Sequence, residues 1–299
     1  MQRLLGVARP NFLTLSVVCI VLSAMLALEQ RGQLIALDLL LVTLLALAAH
    51  VSVNAFNEYF DYKSGLDLTT QRTPFSGGSG TLVQAPYLLG ATLRLAIITL
   101  LIAVFIGLWL VWAHSLHLLW LGLLGVLLIY SYTEYLNRLP WVCLVAPGIG
   151  FGLCITLGAS WVLAGTLTAT SWLVGIVMTL LVSNLLLLNQ FPDIAADRAN
   201  GRRHLPIVWG ELRSGRLFAL LYALAYSAIG LAVLFGGVTP WVLLSVLSLG
   251  LCVPLVQGVL RAPHRVTQNP HLLTLNVAVI HLVPLLMAAG LLLSWWLRS

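Results

Sequence analysis

Apolar runs long enough to cross a bilayer recur nine times in this chain, at roughly 11–28, 34–56, 87–112, 116–133, 141–164, 170–190, 215–236, 239–260 and 271–297. A helix needs about 20 apolar residues to span the hydrocarbon core. A membrane β-barrel is excluded, because its strands alternate over short segments. The longest connection falls at 57–86, too short for a separate soluble domain. The expected fold is all-α and polytopic, about nine transmembrane helices in one bundle, with residues 1–299 as a single membrane domain. A mean hydropathy of +1.01 agrees. The first run lacks a convincing cleavage site and eight others follow it, so it reads as a retained span and not a signal peptide.

The net charge of +6 does not indicate nucleic acid, because of where the charges fall. With a cytoplasmic N-terminus and nine spans, Arg3, Arg9, Lys63, Arg72, Arg94, Arg138, Arg198, Arg202, Arg203, Arg213, Arg216, Arg261 and Arg265 lie inside, and only Arg31 and Arg298 outside. That asymmetry predicts N-in, C-out insertion in a plasma (inner) membrane, with the lipid bilayer as a partner. Cys19, Cys143, Cys154 and Cys252 all sit in apolar runs without CxxC or zinc spacing and read as small buried hydrophobes.

The chain holds nine carboxylates, and five of them fall in two clusters: Glu58, Asp61 and Asp67, then Asp193 and Asp197. Ionised acids in apolar surroundings are costly unless something positive neutralises them. The clusters echo each other. Asn57 precedes Asp61 by four residues and Asn189 precedes Asp193 by four, at the ends of the second and sixth runs, which suggests two related halves whose helix ends face each other. Asn57 and Asp61 share a helix face if the second span continues that far, and Asn189, Asp193 and Asp197 extend a similar stripe that Pro192 would kink. Asp67 reaches the site only if the chain turns, for which Ser64-Gly65 is suited. The segment from Gln71 to Gly80, with Arg72 and several glycines, reads as a loop over the site whose amides can approach phosphate oxygens.

Amide and carboxylate oxygens on one helix face suit Mg²⁺, which takes oxygen ligands while bridging to phosphate. Two clusters allow two ions on one diphosphate, making it a better leaving group. Lys63, Arg72, Arg202 and Arg203 can meet the remaining oxygens. What leaves a diphosphate inside a membrane is an apolar chain, and an allylic one departs as a cation that carboxylates and aromatic faces stabilise.

Asn57-Glu-Tyr-Phe-Asp-Tyr-Lys-Ser-Gly-Leu-Asp67 and Asp193-Ile-Ala-Ala-Asp-Arg-Ala-Asn-Gly-Arg-Arg203 resemble the two signature motifs of the UbiA superfamily of intramembrane prenyltransferases. The nine-span layout resembles that family over essentially the whole chain. The resemblance implies a bundle with a central cavity capped by cytoplasmic loops, and Mg²⁺-dependent transfer of an isoprenoid from a prenyl diphosphate to an aromatic acceptor. Carried over by position, it implies Asp61, Asp67, Asp193 and Asp197 as catalytic acids, and Asn57, Asp61, Asp193 and Asp197 as metal ligands. It assigns substrate binding to Arg9, Asn54, Lys63, Arg72, Tyr130, Asn189, Arg202 and Arg203. The Asp61–Asp67 spacing, the Arg202-Arg203 ending and the opening Ala8-Arg9-Pro10 are most similar to the branch acting on 1,4-dihydroxy-2-naphthoate in menaquinone synthesis. Two departures stand out. Glu58 replaces the usual Asp, and Glu134 stands where a Lys is often found.

Other polar residues have plainer readings. Glu134 is expected to pair with Arg138, Arg94 to snorkel, Asp38 to be interfacial, and His50, Asn276 and His281 to make interhelical hydrogen bonds. Gly148 to Gly152 reads as a close helix crossing, since no strand or basic residues frame a nucleotide loop. Trp109, Trp112, Trp295 and Trp296 read as interfacial anchors. A cation transporter fits poorly, because both clusters lie at span ends beside arginines. A phospholipid-synthesis enzyme lacks its tight acidic motif. Among the acceptors weighed, 4-hydroxybenzoate and homogentisate stand behind the naphthoate.

Overall fold

The computed structural model describes residues 2–70, 72, 73 and 76–299, without the side chains of residues 2 and 3. Gln71, Pro74 and Phe75 of the loop, and the Arg3 side chain of the charge count, therefore lie outside the described residues. Among the described residues the apolar runs form α1 (Pro10–Arg31), α2 (Ala36–Ser64), α3 (Leu89–Ala113), α4 (Leu118–Glu134), α5 (Pro140–Ala164), α6 (Ala169–Asn189), α7 (Leu205–Leu234), α8 (Pro240–Arg261) and α9 (Pro270–Trp296). All but the 17-residue α4 belong to helices long and apolar enough to cross a membrane. The chain is a multi-pass membrane protein.

Neighbours in sequence pack side by side, α2 on α3, α6 on α5 and α7, and α9 on α8, while α1 closes the bundle against α9. The expected crossing at Gly148 and Gly152 is present. A Cβ at either glycine would overlap backbone of α6, at Thr179 or Gly175. After Pro147 the helix widens into a π-helical stretch over Gly150–Leu157, as an internal proline's missing donor favours. Ser16 bonds His50 between α1 and α2 at 2.9 Å, Tyr222 donates to Asn276 between α7 and α9 at 2.6 Å, and Thr14 meets His281 between α1 and α9 at 3.0 Å. These are the interhelical bonds expected.

Charges sort to the two ends. Arg298 pairs with Glu29, and Arg31 donates to the Leu163 carbonyl at 3.2 Å, so both arginines expected outside share one end. Arg9, Asp61 and Arg202 gather at the other end. Two boundaries differ from expectation. α2 runs on to Ser64, and α7 begins at Leu205, ahead of the apolar run, with a break at Gly210 (φ 78°). In α2 polar turns extend the helix past its apolar stretch; in α7 the apolar turn Leu205–Trp209 is set apart from the long run by Gly210 and the charged residues Glu211, Arg213 and Arg216.

Candidate active site

A cavity of about 690 Å³ opens among the motif residues and continues into the bundle between α1, α2, α3, α4 and α5. Its depth follows α2 from Asp61 down to Val42, roughly 28 Å at 1.5 Å per residue. The mouth is polar and the interior is mostly aliphatic.

The first cluster is built by the end of α2. Asn57 and Asp61 line the cavity one turn apart, as their spacing predicts. Gly65 (φ 83°) ends the helix in a conformation that favours glycine. The short helix Leu66–Thr69 then returns Asp67 to the cavity wall. The second cluster is not the continuous stripe expected. α6 stops at Asn189, Pro192 lies in a turn, and a separate helix, Ile194–Ala199, carries Asp197. Proline removes a backbone donor and crowds the preceding turn, so the helix ends instead of kinking. Asn189, Asp193 and Asp197 all line the cavity nonetheless.

Arg202 ties the two clusters together. Its guanidinium donates to Asp61, and to Asp197 at 3.1 Å. The other Asp197 oxygen meets His204 Nε2 at 3.0 Å. Glu58, fully buried, is engaged elsewhere. It accepts from Arg9 Nε and Nη2 at 3.0 and 2.5 Å, and from the Ser79 amide and hydroxyl at 2.6 and 2.8 Å. Its extra methylene thus joins the glycine-rich loop to the start of α1. Arg9 also donates to Asn57 Oδ1 at 3.3 Å, and its own backbone is left-handed (φ 49°), a conformation uncommon for a non-glycine residue. Asn54 donates to the Ala8 carbonyl at 3.0 Å and lines the cavity.

Burial, then the charges of Asp61 and Glu58, push the Asp67 carboxyl up to about 7. Burial, then the charge of Asp197, pushes Asp193 up to about 7. Among the described residues Asp67 Oδ2, Asn189 Oδ1 and Asp193 Oδ1 are buried with no hydrogen-bond partner, which is costly for an oxygen unless something positive comes to it. Among the described residues no three His, Cys, Asp or Glu side chains already form a metal cluster. The unpartnered oxygens and the all-oxygen donor set fit a hard divalent cation that shares its shell with a phosphate.

Several residues singled out from sequence lie elsewhere. Lys63 is exposed, its Nζ 5.8 Å from the Tyr59 ring centre. Arg72 is exposed and donates to the Asp67 carbonyl at 2.9 Å, and Arg203 is exposed; none of the three lines the cavity. Tyr130 is 49% exposed and packs on Phe56 and Phe60, whereas Tyr132, two residues on and so on the other side of α4, lines the cavity. Glu134 forms no ion pair with Arg138, because α4 ends at Glu134 and a 3₁₀ turn over Leu136–Arg138 breaks the four-residue spacing. Sequence reasoning missed His204 and Tyr132. The first directly follows the second motif, which is the one signal that could have found it.

The profile of the UbiA prenyltransferase family matches residues 16–280. The chain is 30% identical to a Bacillus subtilis (strain 168) protein named 1,4-dihydroxy-2-naphthoate octaprenyltransferase, covering 86% of this chain and 82% of that one. It is 28% identical to an Escherichia coli (strain K12) protein of the same name, covering 96% and 94%. Its fold is similar to that of a UbiA homologue from Archaeoglobus fulgidus bound to DMAPP and Mg²⁺, with a TM-score of 0.66 at 13% identity over 97% of this chain and 99% of that one. Two acidic motifs joined at the mouth of an apolar cavity, a matching profile and a shared fold lead to one assignment: the chain belongs to the UbiA prenyltransferase family and is a membrane-embedded prenyltransferase.

Proposed function

We propose that this enzyme transfers an isoprenoid chain from a prenyl diphosphate to 1,4-dihydroxy-2-naphthoate, a step of menaquinone synthesis, at a cytoplasmic-facing site of the plasma membrane with its N-terminus inside. The observation that carries the reading is the meeting of both acidic clusters on Arg202 above an apolar cavity. The names of the two bacterial relatives support the acceptor, and the DMAPP and Mg²⁺ bound to the archaeal homologue support the donor and the metal.

Asn57, Asp61, Asp193 and Asp197 would hold Mg²⁺, as two ions, whose charge would neutralise the diphosphate and so make it a better leaving group. Asp67 and Asn189 line the same cavity and add an unpartnered oxygen each among the described residues. Arg202 supplies fixed positive charge at the mouth, and the exposed Lys63, Arg72 and Arg203 draw the polyanion towards it. The diphosphate leaves with the C–O bonding pair, giving an allylic cation. Tyr132 offers an aromatic face near that cation, in place of Tyr130. The tail lies along the aliphatic wall. The electron-rich ring carbon bearing the carboxylate forms the new C–C bond, and loss of CO₂ returns its bonding pair to the ring.

Asp61→Ala and Asp193→Ala should each lower transfer roughly a hundredfold or more while leaving membrane insertion unchanged. Activity near wild type in either variant would remove that residue from the metal site.

A further inference from the structure

The cavity has two unlike walls. Towards α3 and α4 it presents aliphatic side chains such as Leu100, Val104, Leu128 and Ile129, whereas α2 places His50 and Asn54 on the wall nearest α1. His50 is 6% exposed, and its ring stands edge-on to Phe151 at 4.9 Å. Its Nδ1 lies 2.9 Å from Ser16 Oγ, a fully buried hydroxyl whose only hydrogen-bond partner among the described residues is this histidine. A buried hydroxyl proton left unused is costly, so Ser16 donates to Nδ1. That assigns the ring proton to Nε2, which has no partner among the described residues. One turn along α2, Asn54 spends its amide on the Ala8 carbonyl and leaves Oδ1 without a partner among the described residues. The wall therefore offers an N–H donor and a carbonyl acceptor at i and i+4, about 5–6 Å apart at their Cβ atoms.

We propose that His50, oriented by Ser16, and Asn54 form a fork that binds and orients the aromatic acceptor through two oxygens placed para on one ring. His50 Nε2–H donates to one oxygen, and the hydroxyl at the other donates to Asn54 Oδ1. A 1,4-diol separates its oxygens by a comparable length, and the tail is left the aliphatic wall opposite. The inference rests on the reading of the acceptor as a dihydroxynaphthoate. It gives His50 a binding role beyond joining α1 to α2.

The test compares wild type, the Ser16→Ala/His50→Phe double variant and His50→Gln, each as full-length protein in lipid nanodiscs. The double variant keeps an aromatic ring on Phe151 and leaves no orphaned hydroxyl. Kd for 1,4-dihydroxy-2-naphthoate, measured anaerobically by calorimetry, should weaken roughly tenfold in the double variant, the loss of about one hydrogen bond. Binding of 2-naphthoate, which lacks both hydroxyls, and of prenyl diphosphate should not change, and His50→Gln should recover part of the affinity. The KM for the acceptor should rise while that for prenyl diphosphate stays. Unchanged affinity for the diol in a double variant that still binds prenyl diphosphate overturns the fork but leaves the proposed function standing. Wild-type transfer to a different phenol, with the same dependence on His50, overturns the naphthoate and keeps His50. No binding of any hydroxylated aromatic to wild type overturns both.

Discussion

Glu58 shows how much one methylene can decide. Fully buried, it holds Arg9 on one side and Ser79 on the other, so it fixes the loop and the start of α1 around Asn57 without lining the cavity itself. Glu58→Asp is expected to lose Ser79, raising the KM for prenyl diphosphate several-fold with little change in folding. Glu58→Gln leaves Arg9 without its counter-charge and should cost about 1–3 kcal/mol of stability, read as a lower melting temperature in detergent. Equal melting temperatures in the two variants would contradict the clamp. Asp67 and Asp193, both raised to about 7, make a second prediction. A carboxyl raised from 3.8 binds its proton more tightly folded than unfolded, so this stability is present below 3.8 and lost as pH rises through about 7. Without divalent cation the protein should therefore melt higher at pH 5 than at pH 8. Mg²⁺ needs the ionised carboxylates, so its binding should strengthen as pH rises through about 7 and release protons. Magnesium affinity independent of pH between 6 and 8 would remove both acids from the site.

At the scale of elements, position along a helix is more legible than rotation about it. The i, i+4 pair Asn57 and Asp61 needs only that α2 continue, and Gly65 alone announces the turn that returns Asp67. Tyr130 and Tyr132 cannot be told apart in this way, because α4 is apolar all round and nothing local says which face meets the cavity. Arg72 and Arg203 escape for a related reason: loop composition places a charge near a site but does not aim it. The α5–α6 crossing was readable in Gly148 and Gly152, and it positions Asn189 at the end of α6. Gly152→Ala should push α5 off the Gly175 backbone and cost about 1–3 kcal/mol, seen as a lower melting temperature and reduced transfer. An unchanged melting temperature would mean that the helices part freely there.

The molecule as a whole joins a charged mouth to an apolar interior, and that arrangement is what lets diphosphate chemistry occur inside a membrane. Acids and arginines neutralise one another at the polar mouth, while in the proposed mechanism the apolar interior would shelter the allylic cation and its tail from water. Fold class and the two motifs were legible because membrane spans and clustered acids leave strong marks in sequence. The part proposed for His50 was not, since it acquires its meaning from Ser16 on another helix. The decisive experiment is mass spectrometry of the product formed by the purified protein in nanodiscs. It would be given prenyl diphosphates of several lengths, a panel of aromatic acceptors, and Mg²⁺ or EDTA. The expected product is a prenylated naphthoquinol that has lost CO₂ and is absent with EDTA. A folded protein that yields no prenylated aromatic, or yields it undiminished with EDTA, would contradict metal-dependent prenyl transfer at this site.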